Sequence, residues 1–127
     1  MSEDTAECCA GSAAPKLIFP CSGAADVGEI ADRAARRLTR EGAGRMYCLA
    51  GIGGRVNDIV VNTQAAGKIL AIDGCPKACA RHTLEHAGFK DFAHLRLSDI
   101  GFAKGASPAN EESVSIAVKH AKPLLAC

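Results

Sequence analysis

The sequence predicts a small three-layer α/β domain with about four mostly parallel strands. Short apolar runs of strand length alternate with longer segments in which apolar residues recur at helical spacing. The short runs are apolar almost throughout, which is typical of strands that are buried on both faces of a sheet. Strand–helix repeats form parallel sheets through right-handed crossovers, and the helices then cover both faces.

The first half of the chain contains two predicted strand–helix units. The run KLIFP (16–20) predicts the first strand, and the helix that follows it has Asp26 as its N-cap and Gly42 as its end. The run RMYCLA (45–50) predicts the second strand, followed by a helix that ends at Gly67.

The second half repeats this pattern twice. The run KILAID (68–73) predicts the third strand, and the helix that follows carries Pro76 in its first turn, where proline is tolerated. Residues 92–102 contain the fourth strand. The last helix has Asn110 as its cap, and we expect Pro123 to end it.

Composition excludes several classes of function. The chain has 127 residues, a net charge of +1 and 4% aromatic residues, so it offers neither a basic field nor a stacking surface for nucleic acid. No apolar run approaches the ~18 residues that a membrane span needs. We therefore expect no nucleic-acid partner and no membrane partner. Residues 1–13 are predicted to be a flexible tail, and residues 14–127 a single domain.

Seven cysteines are a high and odd number for a chain of this length. The N-terminus lacks a basic region followed by an apolar run, so we expect no signal peptide and a cytoplasmic location. In a reducing compartment an odd number of cysteines argues against a disulfide framework and favours metal or thiol chemistry. No role is assigned to Cys8, Cys9 or Cys127.

The other four cysteines are expected to converge. Cys21 follows the first predicted strand, Cys48 lies late in the second and Cys75 follows the third, at equal separations of 27 residues. A βα unit of that length returns the chain to the same edge of the sheet, where open α/β sheets bind ligands. Cys79 follows Cys75 by one helical turn and can point back toward that edge. The sequence therefore predicts a four-cysteine site at the carboxyl ends of the strands.

Several chemistries suit such a site. Four thiolates match tetrahedral Zn²⁺, and an iron–sulfur cluster also accepts four. Helix N-termini at this edge would stabilise thiolates through their partial positive charge and unpaired N–H groups, with Lys77 and Arg55 assisting from the loops. The same placement favours a thiol-dependent redox or sulfur-transfer enzyme, with Cys75 as the nucleophile and Cys79 as the resolving cysteine. A module that binds a small anion or a thiol partner is a third alternative.

Asp73 has two interpretations of equal weight. It either assists or binds the metal, or it caps the helix that follows the third strand.

Residues 16–102 resemble the DGC-domain family, which is named for the tripeptide that here is Asp73-Gly74-Cys75. The resemblance includes the segments PCSGAADVGEIADRAAR, CLAGIGGR and IDGCPKACA. It implies zinc binding by four cysteines, which would fall on Cys21, Cys48, Cys75 and Cys79. The resemblance thus implies a site and supplies no reaction.

Overall fold

The structure is a computed structural model that describes residues 14–126. The predicted tail (1–13) and Cys127 lie outside the described residues. Residues 14–126 form a four-stranded, all-parallel sheet in the order β2-β1-β3-β4, so the predicted fold class is confirmed. The strands are β1 (Lys16–Pro20), β2 (Arg45–Met46), β3 (Lys68–Asp73) and β4 (Ala93–Arg96).

Helices cover both faces of this sheet. The five α-helices of the described segment are α1 (Asp26–Arg40), α2 (Leu49–Gly53), α3 (Asn57–Gln64), α4 (Cys79–His86) and α5 (Glu111–Leu125). Helices α1 and α5 pack on one face, and α2, α3 and α4 on the other. Successive strand residues face opposite sides, so Leu70 and Ile72 of β3 join the first core while Ile69 and Ala71 join the second. No helix in this part of the chain is long and apolar enough to cross a membrane.

The pairing of α1 with α5 is fixed by apolar packing and by ion pairs at its rim. One face of α1 is buried from Val27 to Leu38, and it meets the buried face of α5. Outside this contact, Arg33 Nη2 lies 2.7 Å from Glu111 Oε2, and Arg37 also pairs with Glu111. Asn110 caps α5 as predicted, since its side-chain oxygen accepts the Ser113 N–H at 2.9 Å.

Several predicted boundaries are wrong. Pro76 lies in the loop before α4 and not in its first turn, because Asp73 caps this helix where it begins at Cys79. Strand β2 stops at Met46 because it is an edge strand that pairs with β1 over two residues only, and the apolar run that follows forms α2. Asp26 is the first residue of α1 and not its N-cap, which is Ala25. Helix α5 continues through Pro123 to Leu125, because Pro123 lies in the last turn and Leu125 is buried in the core.

The strand order creates a crevice between two neighbouring strands. From β1 the chain crosses to β2 on one side, whereas β3 and β4 lie on the other side of β1. The carboxyl ends of β1 and β3 therefore flank the topological switch point, where parallel sheets of this kind bind ligands. The Cys21 N–H donates to the carbonyl of Ile72 at 2.9 Å, which continues the β1–β3 pairing into this crevice.

Candidate thiol and metal site

Cys21 lies at the start of the β1–α1 loop, and this loop is held against α1. The next residue, Ser22, has a left-handed backbone (φ +53°), which is unfavourable for a residue with a side chain. Its hydroxyl donates to Asp32 Oδ1 at 2.8 Å, and Arg36 Nε donates to Asp32 Oδ2 at 2.7 Å. Asp32 and Arg36 thus fix the backbone that positions Cys21.

Burial is the main electrostatic influence on the Cys21 thiol. It raises the pKa of Cys21 above its ordinary value, while the backbone N–H groups of Gly23 and Gly74 act in the opposite direction. Electrostatic interactions with the neighbouring Asp73 and Cys75 raise this pKa further. Cys21 is therefore mainly protonated at neutral pH, and an ion that binds it must displace a proton.

Cys75 and Cys79 lie in and just after the β3–α4 loop. Cys75 is half-buried, and Cys79 is the exposed first residue of α4. The residue before Cys79, Ala78, is also left-handed (φ +54°), so a strained residue adjoins a cysteine in both loops. Cys21, Cys75 and Cys79 line one cavity of about 470 Å³, together with Lys77 and Lys104. The structure thus brings three of the four predicted cysteines to one cavity.

Two glycines allow α1 to approach both loops. A Cβ on Gly74 would lie 2.7 Å from the backbone carbon and oxygen of Val27, in the first turn of α1. A Cβ on Gly28 would lie 2.4 Å from the carbonyl oxygen of Gly23, in the Cys21 loop. The two loops are therefore packed against one helix end, which sets the position of Cys75 relative to Cys21.

The structure places Cys48 in a different element from the predicted one. It lies beyond β2 as the exposed N-cap of α2 and not within a strand. It lines a second cavity, of about 580 Å³, whose wall also includes Cys21, Arg36 and Tyr47. Cys21 is the cysteine that lines both of these cavities.

The residues fit Zn²⁺ by chemistry, because four thiols are a donor set that zinc accepts. They are free thiols, with no disulfide among them. Within residues 14–126, however, no group of three or more His, Cys, Asp and Glu side chains is already arranged to hold an ion. A metal shell would therefore require side-chain or loop movement, and the ligand set remains a prediction.

Asp73 has a structural role, because both of its carboxylate oxygens accept hydrogen bonds. This buried carboxylate accepts the N–H groups of Ala80 and Arg81 at 2.7 and 3.0 Å, so it caps α4 from the end of β3. Its third partner is His94 Nε2 of β4, at 2.8 Å. The capping interpretation is the one that the hydrogen bonds support, and α4 begins at Cys79 because of it.

His94 is the residue of this region that the sequence did not reveal. It lies 21 residues from Asp73, and no spacing rule links a strand histidine to an acid at the end of another strand. A histidine within the run FAHL is the one available signal, because a polar ring in a mostly apolar strand needs a partner.

Two of the expected thiolate-stabilising groups are occupied elsewhere. The N–H groups at the start of α4 are used by Asp73, so they are not available to a Cys79 thiolate. Arg55 donates to the carbonyl of Ile52 at 2.8 Å and to that of His86 at 2.9 Å. Lys77, by contrast, does line the cavity with Cys75.

The fold and this edge define a class: a small parallel α/β domain with cysteines gathered around its switch point. The chain belongs to the DGC domain family, which it matches over residues 17–121. It is 38% identical over 88 residues to the anaerobic and virulence modulator AnvM of Pseudomonas aeruginosa, and this alignment covers 69% of the present chain and 67% of AnvM. No solved structure shows a significant match to the chain.

Proposed function

We propose that this DGC-domain protein binds Zn²⁺ through Cys21, Cys48, Cys75 and Cys79, and that the site has a structural or sensing role. The observation that carries the proposal is the cavity at the switch point, which Cys21, Cys75 and Cys79 line together. A four-thiolate shell leaves no position for water, and metal-activated hydrolysis needs such a position. The name of AnvM, a modulator, supports a regulatory role over a catalytic one.

The surroundings of the cavity suit a cluster of thiolates. Lys77 and Lys104 line it, and their charges offset the negative charge that remains when Zn²⁺ binds four thiolates. The backbone N–H groups of Gly23 and Gly74 act to lower the pKa of Cys21, and donors of this kind favour the thiolate form that a metal binds.

Elemental analysis tests the proposal directly. The protein, purified without an affinity metal or a chelator, should contain a single zinc ion per chain. Cys75→Ser should lose the ion and unfold at a lower temperature, because metal binding is coupled to folding. Cys127→Ser is the matched control and should keep its zinc. The proposal is wrong if Cys75→Ser retains both its metal content and its melting temperature, and iron with acid-labile sulfide would instead indicate an iron–sulfur cluster.

The second candidate is a thiol redox or sulfur-transfer enzyme that uses Cys75 and Cys79. Both residues line the same cavity, and Cys79 is exposed to a reaction partner. Among the described residues, however, His94 bonds to Asp73, His86 contacts Arg55 and His82 lies beside Glu85, and no histidine is hydrogen-bonded to Cys75 or Cys79.

Alkylation separates the two candidates. A reactive pair in metal-free protein should be modified quickly by iodoacetamide at mildly acidic pH, whereas zinc-bound thiolates should resist until a chelator is added. Fast modification of freshly purified, metal-free protein at Cys75 would favour the enzyme.

A further inference from the structure

One wall of the cavity at the switch point is formed by a turn between β4 and α5. Residues 103–106 form this turn, the flap, and all four are exposed. Lys104 of the flap lines the cavity of about 470 Å³ together with Cys21, Cys75 and Cys79. A movement of the flap would therefore change access to these three thiols.

Within residues 14–126, the hydrogen bonds that join the flap region to α1 end on one carboxylate. Asp26 Oδ1 accepts the Gly105 N–H at 2.9 Å, and its Oδ2 accepts the N–H of Ser107, just after the flap, at 3.1 Å. Ala25 and Val27, on either side of Asp26, line the cavity themselves, so these bonds lie at its edge. The same N–H groups lower the pKa of Asp26, so the carboxylate is ionised at neutral pH and its hydrogen bonds are charge-assisted.

The other hydrogen bonds of the flap, among the described residues, stay within the turn. The Ala103 N–H donates to Ser107 Oγ at 2.8 Å, and the Ala106 N–H donates to the carbonyl of Ala103 at 2.9 Å. Gly101 (φ +102°) and Gly105 (φ +86°) are left-handed, and glycine changes its backbone conformation more easily than any other residue. The flap can therefore move as a unit once its bonds to α1 are broken.

The chain on each side of the flap is anchored in the protein. Phe102 packs against the core beneath α1 and α5, and its N–H donates to the carbonyl of Leu97 at 3.2 Å. On the other side Ser107 is buried, and Ala109 packs against the same core. Movement is therefore confined to the short exposed turn between these anchors.

We propose that the flap is a lid on the cavity at the switch point, and that Asp26 is its latch. In the closed form, which the structure shows, Lys104 lies at the cavity that holds the thiols. In the open form, the Gly105 N–H is bonded to water instead of Asp26, and the flap no longer forms a wall of the cavity. The lid acts on any ion or molecule that reaches these cysteines, so this inference goes beyond zinc binding and does not depend on it.

Amide hydrogen exchange of the full chain as purified, followed by NMR at pH 7, tests the latch. In Asp26→Ala the Gly105 N–H should exchange roughly tenfold faster than in the wild type, because a hydrogen bond to a charged group shifts an equilibrium by at least this factor. Asn110→Ala is the matched control, since it also removes a side-chain acceptor from a backbone N–H but leaves the latch intact. Its exchange at Gly105 should stay within roughly threefold of the wild type, because local opening is independent of the cap of α5.

Cysteine labelling tests the lid. After treatment with EDTA and a reducing agent, iodoacetamide should modify Cys75 roughly tenfold faster in Asp26→Ala than in the wild type, because the half-buried thiol is reached through the open form. Cys48 lines the second cavity and is the internal control, so its rate should be the same in both proteins. Peptide mass spectrometry measures each rate, and circular dichroism shows that the proteins are folded in this buffer. Asp26→Asn, which keeps one acceptor oxygen, is the milder variant and should lie between the two.

Three results would overturn the inference. Equal exchange of the Gly105 N–H in the wild type and in Asp26→Ala would show that Asp26 is not a latch. Faster exchange at Gly105 without faster labelling of Cys75 would show that the flap does not control access to the thiols. Equal acceleration at Cys48 and Cys75, or the same acceleration in Asn110→Ala, would show a general loosening of the fold in place of a lid.

Discussion

Gly74, the central residue of the DGC tripeptide, provides the sharpest test of how the cysteine loops are positioned. A Cβ at this position would lie 2.7 Å from the backbone carbon and oxygen of Val27 and 2.9 Å from its Cβ. Backbone atoms cannot rotate away, so Gly74→Ala must displace either the start of α1 or the β3–α4 loop. Overpacking of this kind costs about 1–3 kcal/mol, which corresponds to a fall in melting temperature of roughly 3–15 °C for a domain of this size.

Gly23→Ala is the matched control, because Gly23 lies in the neighbouring cysteine loop. A Cβ there meets no atom within 4 Å, and Gly23 does not have a positive φ. Its stability should stay within about 0.5 kcal/mol of the wild type. Thermal and urea unfolding, followed by circular dichroism, measure both variants. Equal melting temperatures for Gly74→Ala and the wild type would refute the claim that α1 and the β3–α4 loop are in rigid contact.

Three further predictions concern polar side chains that accept hydrogen bonds from backbone N–H groups. Asp73→Ala should lower the free energy of unfolding by about 2–4 kcal/mol, measured in urea, because it removes the cap of α4 and the buried partner of His94. Asn110→Ala should cost about 1 kcal/mol in the same assay, since α5 loses its cap. The pKa of Asp26 is lowered mainly by the N–H groups of Gly105 and Ser107, so Asp26 stabilises the fold when ionised. The stability difference between wild type and Asp26→Asn should therefore be complete near neutral pH and fade as the pH falls below about 4.

Each of these predictions has a contradicting result. His94→Gln keeps the cap and should cost less than Asp73→Ala, so equal losses would show that capping is not the main role of Asp73. An Asn110→Ala protein with wild-type stability would mean that α5 does not depend on this cap. A difference between wild type and Asp26→Asn that does not change with pH would show that the charge of Asp26 is not involved.

The fold class was predictable because the signals are local and repeat along the chain. The run KILAID became β3 without change, since it is apolar almost throughout and is central in the sheet. The run RMYCLA was misjudged after Met46, because a short apolar run suits a strand or a short helix equally well. Tertiary structure decides between strand and helix here, because β2 is an edge strand with a neighbour on one side only.

The candidate site was predictable to a lesser extent. Strand–helix periodicity anticipated that Cys21 and Cys75 would lie at the ends of adjacent strands, and the structure places them on one cavity. It did not anticipate that Cys48 would border a different cavity, because that depends on where an edge strand ends. The bond between Asp73 and His94 was not predictable either, because it joins side chains of two different strands and no sequence pattern links these two positions.

Cys21 is in contact with both hydrophobic cores, the one beneath α1 and α5 and the one beneath α2, α3 and α4. A change in what this one sulfur binds would therefore alter the packing of both helical layers at once. Occupancy at a single atom could in this way be communicated to the two broad outer surfaces of the molecule, without a hinge or a moving domain.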